Sequence, residues 1–131
     1  MEAIGSPARF YFVLGCISAA IGVAAGAFGA HGLKGILSPE MLTTYETAVR
    51  YQMYHAFGLI ATALASGSLP NSKTKLVGWC FAGGTVLFSG SLYLLTLTGI
   101  LWLGAITPLG GIAFIAGWVT LGYSIYQNHP Q

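Results

Sequence analysis

Long uncharged stretches divide this sequence and indicate its architecture. Between Arg9 and Lys34 the chain has no charged side chain for roughly 24 residues, enough for one helix across the ~30 Å hydrocarbon core of a bilayer. A second uncharged stretch separates Arg50 from Lys73, and no Asp, Glu, Lys or Arg occurs after Leu76. As a single helix this last stretch would be about 84 Å long, so it must turn back. The pattern predicts four helices, at about 9–31, 50–67, 75–98 and 107–127.

A polar segment with helical periodicity lies between the first two predicted helices. Ser38 can cap a helix, Pro39 suits its first turn, and Glu40 lies near the positive end of the helix dipole. The apolar positions follow the spacing of an amphipathic helix: Met41, Leu42, Tyr45, Ala48 and Val49. We therefore expect a short interfacial helix at about 39–49 that leads without a break into the second membrane helix.

Short connections constrain how these helices are arranged. The return between helices 3 and 4 is expected from Thr98-Gly99 to Thr107-Pro108, with Thr107 as the N-cap of the last helix. Short loops make neighbouring helices antiparallel. The sequence thus predicts an all-α fold over residues 1–131: one integral membrane domain, an up-down-up-down four-helix bundle.

Small residues recur every four positions along the first helix, at Ser18, Gly22, Gly26 and Ala30. Such a stripe lets helix backbones approach closely in lipid. We expect it to be buried against at least two other helices of the same chain.

Composition places the chain in the membrane class. Its mean hydropathy is +0.73, and only 6% of its 131 residues are charged. The surface of a soluble domain carries far more charge. A net charge of +2 is also too small and too dispersed for a nucleic-acid surface, so no nucleic-acid partner is expected.

Polar side chains that could form a site are concentrated near the start of the second helix. The candidates for ligand or lipid binding are His31, Glu46, Arg50, Gln52, Tyr54 and His55. Ionisable groups at membrane depth are costly and commonly functional. We expect Arg50 to point into the bundle, paired with Glu46 or an anionic headgroup, while His31 and His55 line the same pocket. A structural alternative stays open, in which Arg50 extends to the headgroups and His55 bonds a neighbouring helix.

Other chemistry has little support in the sequence. His31 and His55 have no further metal ligand nearby, and Cys16 and Cys80 fall within apolar segments. Ser89 and Ser91 lack the strained turn that a nucleophile requires. We expect no catalytic residue, no metal and no cofactor.

Several sequence blocks resemble a known family of small membrane proteins. They include Gly26 to Leu33 (GAFGAHGL), Arg50 to Ala56 (RYQMYHA), Gly84 to Tyr93 (GTVLFSGSLY) and Thr107 to Gly111 (TPLGG). Together they are similar to the family of bacterial YgdD and YwdK and human transmembrane protein 256, known as domain of unknown function 423. The resemblance implies a four-helix bundle in a bacterial inner membrane and no established activity.

Two function classes follow. The first is a non-enzymatic accessory, assembly or lipid-interacting protein that contacts membrane lipid and acts alone, as a homo-oligomer or within a larger membrane complex. The second is a small transporter or ligand-binding protein that uses a polar corner of His31, Arg50 and His55. It is weakened because all three Glu residues lie outside the apolar stretches, so no carboxylate is embedded. Arg9, Lys73 and Lys75 are expected on one side of the membrane, and Lys34 and Arg50 on the other. Because the first side carries more positive charge, both termini are expected to be cytoplasmic.

Overall fold

Helices account for most of residues 4–128, the part of the chain that a computed structural model describes. Helix α1 spans Ser6–His31, α2 spans Pro39–Ala65, α3 spans Asn71–Thr98 and α4 spans Thr107–Gln127. Short 3-10 turns, Ser66–Ser68 and Leu101–Ala105, precede α3 and α4. The all-α class expected from the sequence is confirmed.

Helix α2 joins the expected polar segment to the second predicted membrane helix without a break, as the sequence indicated. The Ser38 hydroxyl accepts a hydrogen bond from the backbone N–H of Met41 at 3.2 Å and so caps the helix. No Gly or Pro lies between Glu40 and Phe57, so nothing interrupts the helix where the interfacial segment was expected to end. The segment expected at about 39–49 is therefore the first half of α2, continuous with the second predicted helix.

Three helices are long and apolar enough to cross a membrane: α1, α3, and α4 together with the 3-10 turn before it. Helix α2 is not among them, because its first half carries Glu40, Glu46 and Arg50. Yet α2 contributes many of the buried residues of the fold: Tyr45, Ala48, Gln52, His55, Ala56, Gly58, Leu59, Thr62 and Ala63. The least apolar helix is thus an inner helix.

Each helix packs against the next one in the sequence. Residues that face each other occur in opposite sequence order, since Gly15 of α1 meets Leu59 of α2 while Gly29 meets Tyr45. Helices α1 and α4 share no substantial interface within residues 4–128. The described helices therefore form an open row, in which α1 also touches α3 and α2 also touches α4, whereas a closed four-helix bundle would also join its first and last helices.

Glycines set the close approach of α1 to α2. The buried ones are Gly15, Gly22 and Gly29, each seven residues from the next. A Cβ atom added at Gly15 would lie 2.7 Å from the carbonyl oxygen of Ala56, so here the two backbones are nearly in contact.

This stripe differs from the one expected from the sequence. Ala30 is exposed, and Gly26 is only partly buried. A spacing of four residues drifts around a helix of 3.6 residues per turn, whereas seven residues are close to two full turns. The stripe faces α2 alone, and α1 reaches α3 instead through Tyr11, whose ring lies against Gly78. The prediction that this stripe is buried against at least two other helices is therefore wrong.

Helices α3 and α4 are also joined through glycine. A π-helical turn, Val86–Gly90, interrupts α3 and faces Gly110 of α4. A Cβ at Gly110 would lie 2.5 Å from the backbone nitrogen of Phe88 and 2.8 Å from the carbonyl oxygen of Gly84. Only a residue without a side chain permits this backbone contact.

The turn between α3 and α4 lies between Thr98 and Thr107. Gly99 ends α3 with a left-handed φ of +74°, and its N–H donates to the Leu95 carbonyl at 2.8 Å. Thr107 is not the cap that was expected, because Ile106 holds that position. The Thr107 hydroxyl instead lies 2.7 Å from the Ser91 hydroxyl and ties the start of α4 to α3.

Large apolar side chains cover the outside of the row. Val86, Leu101 and Ile115 are each at least 66% exposed, and similar residues occur along every helix. A soluble monomer rarely exposes so much continuous apolar surface, which is the normal surface of a protein in lipid. The membrane class inferred from composition is consistent with these faces and with the three membrane-capable helices.

Candidate functional site

Gln52 links three helices at the centre of the row. Its side chain is 5% exposed. The Nε2 group donates to the backbone carbonyl of Ser18 on α1 at 2.9 Å, and Oε1 accepts from the hydroxyl of Tyr93 on α3 at 2.6 Å. Tyr45, whose ring packs edge-on against Tyr93, donates its hydroxyl to the Ala25 carbonyl at 2.8 Å. These side chains join α1, α2 and α3 by hydrogen bonds that the apolar surroundings strengthen.

His55 lies on another side of α2, towards α4, and is 3% exposed. The indole N–H of Trp118 donates to its Nε2 at 3.0 Å. An indole nitrogen can only donate, so Nε2 is the acceptor and Nδ1 carries the proton that it donates to the Tyr51 carbonyl at 2.6 Å. The imidazole also stacks on Phe114, with ring centres 3.4 Å apart. Both nitrogens of a neutral ring are thus engaged within the chain.

The other four candidates are exposed. Glu46, Arg50 and Tyr54 lie one helical turn apart on the outer face of α2, followed by Phe57. His31 is exposed at the end of α1. We call the surface formed by Glu46, Arg50, Tyr54 and Phe57 the outer face of α2.

The structure therefore divides the expected polar corner in two. Arg50 points outward and not into the bundle, and it forms no ion pair with Glu46 among the described residues. His31 and His55 do not line one pocket, since one is exposed at a helix end and the other is buried against α4. The physical reason is the turn of the helix, because residues 50 and 52 point to opposite sides, whereas residues 52 and 55 belong to the same buried side.

The exposed Arg50 lies well inside the apolar zone of the neighbouring helices. Gly22 of α1 faces Met53 and Gly26 faces Val49, so Arg50 is level with the α1 segment between those glycines. The end of α1 is about 10 Å further along the axis at 1.5 Å per residue. Arg50 is thus an exposed charged side chain that lies level with the uncharged stretch of α1.

Two lateral grooves open between helices. The first has a volume of about 430 Å³ and lies between α1 and α3, over α2. The second, of about 720 Å³, lies between α2 and α4. We call the second the α2–α4 groove; its lining is mostly aromatic: Tyr51, Tyr54, His55, Phe57, Phe88, Gly111, Phe114, Ile115 and Trp118. Tyr54 belongs both to this groove and to the outer face of α2, so Arg50 lies one turn from the groove.

Two residues of this site were missed in the sequence. Tyr93 and Trp118 bond to Gln52 and His55 from other helices. Ser89, for which no catalytic role was expected, donates to the Ala48 carbonyl at 2.7 Å. The period of the helix could have separated Arg50 from Gln52. No signal within the sequence pairs residues that are as distant as these partners.

Fold and site together define an all-helical membrane protein. Its interior is uncharged and hydrogen-bonded, and one acidic and one basic side chain, Glu46 and Arg50, lie on an outer helix face. The chain belongs to the family described as "Protein of unknown function (DUF423)", which matches residues 25–111. The resemblance noted in the sequence is thereby confirmed.

Curated relatives agree with this assignment over nearly their whole length. A UPF0382 membrane protein of Staphylococcus haemolyticus is 47% identical over 119 residues, which cover 91% of this chain and 97% of the relative. The UPF0382 membrane protein YwdK of Bacillus subtilis is 46% identical over 114 residues, or 86% of this chain and 93% of the relative. No solved structure matches the chain.

Proposed function

We propose that this chain is a non-enzymatic, lipid-interacting accessory protein of the plasma (inner) membrane. One observation carries the proposal: every buried side-chain nitrogen and oxygen in residues 4–128 has a hydrogen-bond partner in the chain. The interior therefore offers no free polar group for a substrate, whereas the outward faces and lateral grooves are open to lipid.

The same observation weighs against the transporter alternative. That hypothesis needs His31, Arg50 and His55 around one cavity. His55 instead uses both ring nitrogens within the chain, and His31 and Arg50 lie on outer surfaces. A lipid-interacting role requires only the grooves and the outer face of α2.

We further propose that all four helices cross the membrane in an up-down-up-down order, with both termini cytoplasmic. The opposite sequence order of facing residues supports antiparallel neighbours. Arg9, Lys73 and Lys75 belong to one end of the row, and Lys34 and Arg50 lie towards the other. This bias supports placing the termini on the cytoplasmic side.

Cysteine labelling tests the orientation. In a chain with Cys16 and Cys80 replaced by Ala, we expect a membrane-impermeant thiol reagent added outside cells to label Ile36→Cys and not Ser72→Cys. Labelling after the cells are permeabilised controls for the accessibility of both positions. The reverse pattern contradicts the orientation, and equal labelling of both sites from outside contradicts the up-down order.

Native mass spectrometry after gentle extraction tests the lipid-interacting role. We expect phospholipid to remain bound to the wild-type chain and to be reduced in Gly111→Leu, which fills the α2–α4 groove. A Cβ at Gly111 has no atom nearer than 3.9 Å, so the larger side chain enters the groove without a backbone clash.

Gly122→Leu is the matched control, because it lies on the same helix, where a Cβ has no atom within 4 Å. It should retain lipid like the wild type. A wild-type chain that carries no lipid but holds a small solute contradicts the proposal. The same spectra report whether the chain forms a homo-oligomer or travels with other membrane proteins.

A further inference from the structure

The two charges on the outer face of α2 are complementary to the two charges of a zwitterionic lipid headgroup. Glu46 and Arg50 are both exposed on this face and lie one turn apart, and Arg50 is the deeper of the two. Neither side chain forms a hydrogen bond or an ion pair within residues 4–128. Their side chains are therefore available to a molecule outside the chain.

Arg50 requires such a partner because of its depth. A guanidinium inside the apolar zone is costly unless it is paired or reaches the interface. The α1 residues at its level lie in the uncharged stretch before Lys34, and the α3 residues at its level lie beyond Leu76, where no acidic residue follows. A lipid phosphate is the anion that the membrane itself supplies, and Arg binds phosphate in a planar, two-pronged geometry.

The groove beside Arg50 suits the remainder of a lipid. Tyr54 lies one turn deeper than Arg50 and opens into the α2–α4 groove, whose floor includes Phe88 and Phe114. Trp118 closes the deep end, and its indole N–H is already engaged by His55. An acyl chain can lie along these rings while its headgroup remains at Arg50.

Glu46 then determines which headgroup fits. It lies one turn from Arg50 towards the surface, so a headgroup held by Arg50 has its outer part beside this carboxylate. A second negative charge there is repelled by the carboxylate, and a neutral polyol offers hydroxyl donors but no positive charge. A primary ammonium, which phosphatidylethanolamine carries two carbons beyond its phosphate, supplies both the positive charge and the N–H donors. Choline supplies the charge without a donor.

We propose that the α2–α4 groove is a binding site for an aminophospholipid of the phosphatidylethanolamine class, with its phosphate on Arg50 and its ammonium on Glu46. This inference rests on the proposed lipid-interacting function and names the ligand. It gives a binding role to the exposed side chains of Glu46 and Arg50, which take no part in the hydrogen bonds of the interior.

Tryptophan quenching by lipids with brominated acyl chains tests the site. Trp118 lines the α2–α4 groove, whereas Trp79 lines the groove between α1 and α3, so each can report on its own groove. The Trp118 reporter is Trp79→Phe with Trp102→Phe, and the Trp79 reporter is Trp102→Phe with Trp118→Phe. Each is reconstituted in bilayers that contain brominated phosphatidylethanolamine, phosphatidylcholine or phosphatidylglycerol at increasing fractions.

We expect half-maximal quenching of Trp118 at about a fivefold lower fraction of phosphatidylethanolamine than of phosphatidylcholine, since its ammonium donates a hydrogen bond to Glu46 that choline cannot donate. Trp79 should not distinguish the lipids. Arg50→Ala should remove the preference altogether. Glu46→Gln should remove the advantage of phosphatidylethanolamine and improve binding of phosphatidylglycerol.

Three results overturn the site. They are equal quenching of Trp118 by all three lipids, strongest quenching by phosphatidylglycerol in the unaltered chain, and the same preference at Trp79. If a reporter chain fails to fold, native mass spectrometry of the wild-type chain with an equal mixture of the three lipids provides the same comparison. Lipid retained there without a headgroup preference overturns this site but leaves the proposed function standing, whereas no retained lipid contradicts both.

Discussion

Replacing Gly110 with Ala is expected to lower the stability of the protein by about 1–3 kcal/mol, the range for inserting a methyl group into a packed site. The added Cβ would lie 2.5 Å from the Phe88 nitrogen and 2.8 Å from the Gly84 carbonyl oxygen. Both are backbone atoms, so no side chain can rotate away and α4 must separate from α3. Thermal unfolding in a mild detergent should show a melting temperature several degrees below that of the wild type.

Gly122→Ala is the matched control on the same helix. Nothing lies within 4 Å of a Cβ at that position, so the substitution should add about 0.5–1 kcal/mol through the better helix propensity of Ala. The two Gly-to-Ala changes on α4 are thus expected to shift the melting temperature in opposite directions. Equal melting temperatures would show that α3 and α4 do not meet at the π-helical turn.

Gly15→Ala is expected to produce a comparable loss, about 1–3 kcal/mol, at the interface of α1 and α2. Its Cβ would lie 2.7 Å from the Ala56 carbonyl oxygen and 3.2 Å from the Leu59 Cβ. As at Gly110, the new methyl group would clash with a backbone atom. The free energy of unfolding in detergent, compared with the wild type, measures the effect.

Gly26→Ala on the same helix separates this steric explanation from a general intolerance of α1 to substitution. There a Cβ meets only the Val49 Cγ1, at 3.3 Å, and a side chain can yield slightly. We expect a change within about 1 kcal/mol, with the helix propensity of Ala offsetting the tighter contact. A larger loss of stability at Gly26 than at Gly15 would support the four-residue stripe that the sequence suggested.

The candidate site shows which features could be predicted from the sequence and which could not. Arg50 and Gln52 were grouped because they are close in the sequence, although a helical projection places them on different faces. That error was avoidable. The partners of Gln52 and His55 were not, because Tyr93 and Trp118 come from helices whose registers the sequence does not specify. Nothing in a local pattern distinguishes Trp118, which bonds a buried His, from Trp79, which does not.

Glycine illustrates the same limit. The spacing in α1 correctly indicated a helix interface, but the residues that face α2 are Gly15, Gly22 and Gly29 and not the four-residue series. A choice between a four-residue and a seven-residue stripe depends on the crossing of two helices, which is a property of the pair. The sequence of one helix cannot supply it.

The sequence by itself determined the membrane class and the number of helices. These properties follow from uncharged stretches of membrane length and from local signals such as Ser38 at the start of α2 and Gly99 at the end of α3. The tertiary structure alone decided which polar residues are buried, which face lipid, and that the row of helices stays open between α1 and α4. The physical reason is that secondary structure and membrane partition depend on neighbours within a few residues, whereas burial depends on packing between helices that are distant in the chain.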